Sequence, residues 1–193
     1  MPHPIGKKEA GRAKILTSAG HGFRRHGFGG LGIDALAKDA GVTSGAFYAH
    51  FKSKTEAFRA VVGAGLESLK RRVPDFQERF GKSWRTRFVD FYMGERRTCD
   101  LGESCALQSL SADVSRADAE TRDLYEGQFR AIVDAVAKGV EGRPRARREE
   151  AIALLALLAG GVTLARAISD PALSDEIANA VRKAASSLGQ REA

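Results

Sequence analysis

The chain has 193 residues, 43% hydrophobic and 28% charged, with a formal net charge of +7. That length and apolar content suit one compact body, or a small domain joined to a larger one, and exclude a chain too polar to fold. Only two cysteines, Cys99 and Cys105, are present, which excludes a disulfide scaffold; no CxxC or HxxxH spacing points to a metal centre, so neither metal nor cofactor is expected.

The charge is unevenly placed. Residues 1–54 carry nine Lys/Arg against three Asp/Glu, while the rest of the chain is nearly balanced at 22 against 21. A basic region attracts nucleic acid by neutralising phosphates and releasing counterions, although a solvated charged face is the plainer alternative. The longest apolar run, Ala151 to Leu164, includes Gly160 and Gly161 and falls short of the roughly 18 residues of a membrane span. The opening MPHPIGKK lacks the apolar stretch of a secretory leader. A cytoplasmic protein that does not enter a membrane is expected.

Helical periodicity dominates and no strand alternation is convincing, so the expected class is all-α with about nine helices. A first helix is expected over residues 7–26, with Ile15, Leu16, Ala19 and Phe23 as its apolar stripe. Gly20 and Gly22 each weaken it by about 1 kcal/mol relative to Ala, and Gly27, Gly29 and Gly30 end it. A second helix follows over 33–40, with Ile33, Leu36, Ala37 and Ala40 inward, and Gly41 supplies its left-handed stop. Thr43 is a natural N-cap for a third helix over 44–51. Ser53-Lys54-Thr55-Glu56 is a capping box that opens a fourth helix, 54–72, with Pro74 breaking the chain beyond it. Further helices are expected over 82–97, 104–115, 118–140 with Asp118 as its N-cap, 145–169 and from Pro171 to Leu188, with a turn at 98–103 around Asp100 and Gly102.

The stretch Gly41 to Lys54, GVTSGAFYAHFKSK, carries the most chemistry. On a helical wheel Phe47 and Phe51 share one side and must pack inward. Gly45, Ala46 and Ala49 lie opposite and leave a nearly bare backbone face able to approach base edges. Tyr48 and His50 flank that face within reach of phosphates, contacts that fix register without reading sequence. Lys54 opens the next helix, whose free amides also suit a phosphate. Thr43, Ser44 and Lys38 are the available base-reading donors.

This stretch resembles the recognition region of TetR-type transcriptional regulators, whose pattern is approximately G-V-[ST]-x-G-x-[FL]-Y-x-[HY]-F-x-[NS]-K. Gly41, Val42, Thr43, Gly45, Phe47, Tyr48, His50, Phe51, Ser53 and Lys54 match it, and the likeness covers about residues 10 to 60. The resemblance implies a helix-turn-helix DNA-binding domain over 1–53 and a helical effector-binding and dimerisation domain over 54–193. One departure is that Leu31 and Gly32 stand where the family usually carries hydroxyl residues that cap the second helix and touch a phosphate. Asp34, near the same side, could accept from a cytosine amino group or repel a phosphate.

In the second region Trp84, Phe88, Phe91, Tyr92, Tyr125 and Phe129 are either plain core or, as the resemblance implies, walls of an effector pocket suited to an apolar or aromatic molecule. Cys105 lies near the start of the helix expected at 104–115, where a helix N-terminus would favour thiolate; the same stretch resembles a TetR branch that includes cysteine-based sensors of electrophiles and oxidants. The alternative is a small packed residue. Cys99 is its nearest possible partner, and Arg166 is the only cation on the apolar part of the 145–169 helix. That helix, apolar nearly all round, and the last one are expected to pair with a second copy of the chain. The function that follows is a dimeric regulator, a repressor more often than not, released from palindromic double-stranded DNA by a small-molecule effector. The competing readings are a sequence-indifferent nucleic-acid packager and an all-helical enzyme; for the latter, no residues stand at catalytic spacing.

Overall fold

A computed structural model describes residues 4–189. The elements are α1 (Pro4–His26), α2 (Ile33–Asp39), α3 (Ser44–Tyr48), α4 (Lys54–Phe80), α5 (Trp84–Phe91), α6 (Ala106–Ser109), α7 (Ser111–Val114), α8 (Ala119–Lys138), α9 (Pro144–Ala167) and α10 (Pro171–Ser186). Among the described residues there is no strand.

The first three helices pack on Ile15, Ala19, Phe23, Leu36, Phe47 and Phe51, all buried. Phe23 and Phe28 meet Phe58 of α4 edge-on, at 5.3 and 5.0 Å between ring centroids. This apolar contact fastens α1 to the start of α4. Gly27 and Gly41 take φ of +70° and +63°, the left-handed stops the turns require. The expected caps form. Thr43 Oγ1 accepts from the Ala46 amide at 3.1 Å, Ser53 Oγ from Glu56 at 3.1 Å, and an Asp118 carboxylate oxygen from Thr121 at 2.8 Å. Each such cap contributes about 1 kcal/mol. Gly32 caps α2 without a side-chain bond.

Three expectations are corrected. Pro74 does not end the fourth helix; α4 runs on to Phe80 with Pro74 on its exposed side. An interior proline costs about 3 kcal/mol. Here Leu66, Leu69 and Val73 are buried before it, and beyond it Gln77 Nε2 donates to the Ala135 carbonyl of α8 at 2.9 Å, so packing on both sides offsets that cost. The helix expected over 104–115 is two short ones, α6 and α7, meeting at Leu110. Ser109 and Ser111 return their hydroxyls to the carbonyls of Cys105 and Leu107, bonds that bend a helix. Finally, α9 does have the length and mean hydropathy (1.6) of a membrane span. Its Leu154, Leu155, Leu158 and Val162 are instead buried within the helical body, where Gly161 admits Val181 of α10; a Cβ there would lie 2.6 Å from a Val181 methyl.

α5 ends in a π turn, Tyr92–Arg96, which carries Tyr92 and Met93 into the interior and Arg96 towards α4. Wide turns of this kind recur at functional sites.

Candidate DNA interface and internal cavity

The outer face of α3 is small and bare. Gly45, Ala49 and Tyr48 are exposed, Tyr48 by 52%, and a Cβ at Gly45 would meet no side chain but Thr43, at 3.8 Å from its hydroxyl. Phe47 and Phe51 face inward and are fully buried. Thr43 is exposed, and its hydroxyl caps α3. Ser44 Oγ donates to Asp34 Oδ1 at 2.5 Å, so α2 and α3 are tied together and the Asp34 charge has a partner. Lys38 is exposed on α2. His50 lies with its ring against Gly11 of α1, its Nδ1 buried without a partner. Lys54 Nζ sits 4.6 Å above the Phe28 ring. Two basic residues outside the motif complete this end: Arg12 stacks over Phe51 at 4.8 Å, and Lys14 lies beside Gly41. Their position follows from how α1 crosses α2 and α3, which no local pattern announces.

A cavity of about 200 Å³ lies between α1, α4, the π turn and the loop before α6. Arg24, Arg72, Tyr92, Arg96, Ser104 and Cys105 line it. The Tyr92 hydroxyl and Cys105 Sγ are 3.2 Å apart. Burial pushes the Tyr92 hydroxyl well above the usual tyrosine range, and Cys105 adds to this, so it stays protonated. Burial pulls Arg24 downward, opposed by Cys105 and Glu103 and reinforced by Arg96. One of the glycines that weaken α1, Gly20, has a steric purpose here, shared with Gly65 of α4. A Cβ at Gly20 would lie 2.9 Å from Arg24 Nη1, and one at Gly65 3.1 Å from Nη2. The two glycines make room for the guanidinium.

Residues 15–61 match the family described as bacterial regulatory proteins, tetR family. That match covers the helix-turn-helix region and the start of α4, so the likeness to the TetR family is there. Two curated transcriptional repressors are similar over most of the chain. SCO4008 of Streptomyces coelicolor is 26% identical over 132 residues, 68% of either chain. NemR of Escherichia coli is 27% identical over 140 residues, 67% of either. The fold extends further: the reduced form of E. coli NemR superposes with a TM-score of 0.75 at 20% identity, covering 93% of this chain and 96% of that one. A TetR-family regulator from Agrobacterium tumefaciens gives 0.76 at 15% identity, covering 92% and 98%. The TetR-type fold thus spans the body as well as the helix-turn-helix.

Within this TetR-type body the eight residues considered for an effector site do not converge. Tyr92 and Cys105 line the cavity together, and Phe91 stands behind it, with Arg72 and Arg96 at 5.0 and 4.9 Å from its ring. Trp84 and Phe88 are buried core, and Trp84 Nε1 donates to the Gly139 carbonyl at 2.8 Å. Tyr125 and Phe129 stack on one another along α8, and the Tyr125 hydroxyl pairs with Ser111. Arg166 turns to Cys99, donating to its carbonyl at 2.8 Å and its Sγ at 3.1 Å, and does not reach Cys105. Nor does a long helix start at Cys105: α6 has four residues, too few for a sizeable end charge. What surrounds the thiol is instead a set of arginines from distant parts of the chain.

Proposed function

We propose that the protein is a dimeric transcriptional repressor that leaves a palindromic operator when a small molecule occupies its helical body. The bare, small-residue face of α3, carried on a basic TetR-type unit, is the observation that bears the reading. Residues 1–53 form the DNA-binding unit and residues 54–193 the effector-binding and dimerisation unit, with α4 continuous between them. The curated relatives it resembles are repressors, which supports repression over activation. Such a regulator works in the cytoplasm, where the DNA is.

The second copy covers the outer face of α9 and α10. Ile152, Leu164 and Leu173 are exposed there, Leu164 by 61%, beside the small residues Ala153, Ala156 and Gly160. An apolar face of this kind is covered in a stable protein, and a two-fold partner presents its own copy of the same surface.

Cys105 is the candidate for covalent signalling. Its half-buried thiol opens on the cavity, and its thiolate sulfur can add to the β-carbon of an activated alkene, the proton it lost passing to the adduct's α-carbon. Cys105→Ser should then hold operator in the presence of a maleimide that releases the parent. Release of both alike would make the thiol a packing group.

Selection of DNA bound by the purified chain from a random pool tests the whole reading. A regulator enriches one inverted repeat, bound about 10³-fold or more above unrelated duplex, whereas a packager binds all duplexes alike.

A further inference from the structure

Three arginines meet at the cavity without a carboxylate to match them. Arg24 comes from α1, Arg72 from α4 and Arg96 from the π turn. Among the described residues, Arg24 and Arg72 make no ion pair, and Arg96 comes no closer than 4.0 Å to Glu95. Arg24 Nε is buried with no hydrogen-bond partner, an unfavourable arrangement for a charged donor. The only acid in the lining, Glu103, is taken by His21 at 3.0 Å, while its carbonyl accepts from Arg96 Nη1 at 2.7 Å. Hydroxyls of Ser68, Ser104 and Tyr92 add further polar groups.

A concave site that holds unmatched guanidiniums favours an anion. Guanidinium forks match carboxylate and phosphate oxygens in pairs, and such bonds are strongest where water is excluded. The volume, about 200 Å³, is below the usual range for drug-sized ligands and suits a small molecule. We propose that this cavity binds a small organic anion, a carboxylate or a phosphate, held between Arg24, Arg72 and Arg96. The inference rests on the reading of the protein as an effector-controlled regulator and names the chemistry of the effector's polar end.

The site also has a route to DNA. Arg24 belongs to the helix that supports α2 and α3. The same end of α1 is tied to the cavity loop by Arg25 to Asp100 at 2.8 Å and by His21 to Glu103. An anion drawing Arg24 towards Arg72 and Arg96 shifts α1 relative to the body, and with it the recognition helix.

The test is calorimetric titration of the full chain with benzoate, succinate and inorganic phosphate, with benzamide as the uncharged counterpart of benzoate. At least one anion should bind while benzamide does not, and the arms identify which oxyanion is preferred. Arg24→Gln and Arg72→Gln should each weaken that anion by about tenfold or more. Arg71→Gln, one residue away on the exposed side of α4, should leave it unchanged. Arg72→Gln is the safer variant, because Arg24→Gln disturbs a packed guanidinium; circular dichroism melting checks both. The proposal is overturned if benzamide binds as well as benzoate, if no anion binds at tens of millimolar, or if a folded Arg72→Gln binds as the parent does. Operator binding without any anion, measured in parallel, tests the regulator reading separately.

Discussion

At the residue scale, the DNA face is a set of short side chains with two kinds of task. Thr43, Ser44 and Asp34 hold the geometry of α2 and α3 through a cap and a 2.5 Å hydrogen bond. Tyr48, His50 and Lys54 are expected to meet phosphates, and their surroundings differ. Tyr48 is free to swing outward, whereas Lys54 rests on Phe28 and the His50 ring packs on α1. Tyr48→Phe, His50→Ala and Lys54→Ala should therefore weaken operator and unrelated duplex by similar factors, and Lys54→Ala, which removes a fixed cation, should lower the salt slope of binding by about one while Tyr48→Phe leaves it unchanged. Lys54→Ala should also cost about 0.5–1 kcal/mol of stability through the lost ring contact, while Tyr48→Phe should cost almost none. Filter binding against salt, with a urea melt of each variant, separates the effects. A variant that loses the operator alone would be reading bases.

At the element scale, the contact between α4 and α6 depends on a missing side chain. A Cβ at Gly65 would collide with Ala106 and crowd Arg24, whereas one at Gly63 would meet Leu124 at an ordinary 3.5 Å. Gly65→Ala should destabilise by about 1–3 kcal/mol; Gly63→Ala should be neutral or stabilise by up to about 1 kcal/mol from helix propensity. Chemical denaturation distinguishes them, and equal effects would contradict the packing described. The tie between α1 and the cavity loop carries a pH signature. The Gly102 amide and the Arg25 guanidinium hold the Asp100 carboxyl below its ordinary value of 3.8. A depressed carboxyl stabilises the fold above its unfolded pKa and loses that contribution as pH falls through the folded one. Asp100→Asn should lower Tm at pH 7, and its difference from the parent should shrink below about pH 3.8 and vanish once the parent's carboxyl is protonated.

Which elements were legible in the chain has a physical basis. The caps at Thr43, Ser53 and Asp118 and the stop at Gly41 depend on neighbours within four residues, so local chemistry decides them. Pro74 reads locally as a break, and only the packing of α4 on α8 overrides it. The helix-turn-helix is contiguous, so its caps and its buried Phe47 and Phe51 are legible, although α3 ends at Tyr48 and not at the expected residue 51. The cavity is assembled from residues 24, 72, 96 and 105, whose separations have no period, and the one local trace is Gly20, a turn of helix before Arg24. The aromatics that looked like pocket walls divide between core and cavity rim because apolar spacing alone does not separate the two.

At the scale of the whole molecule, two features call for a partner: the exposed apolar face of α9 and α10, and a basic end that bears one short recognition helix. On the proposed reading a single α3 would touch only a few base pairs, and specificity would call for two copies set about one helical turn apart on DNA. Leu164→Glu should move the protein towards monomer in light scattering at micromolar concentration. Because each copy then binds its half-site alone, operator affinity should fall together with the dimer. A monomeric parent, or a Leu164→Glu variant that binds operator as tightly as the parent, would contradict this assembly.

The central claim is that α3 reads DNA as part of a two-fold pair. Selection of bound sequences from a random duplex pool, repeated with Gly45→Glu, measures it most directly. The account predicts one enriched inverted repeat with half-sites a helical turn apart for the parent, and no enrichment once a carboxylate stands on the bare face. An asymmetric single site, no enriched sequence at all, or the same repeat recovered by Gly45→Glu would contradict it.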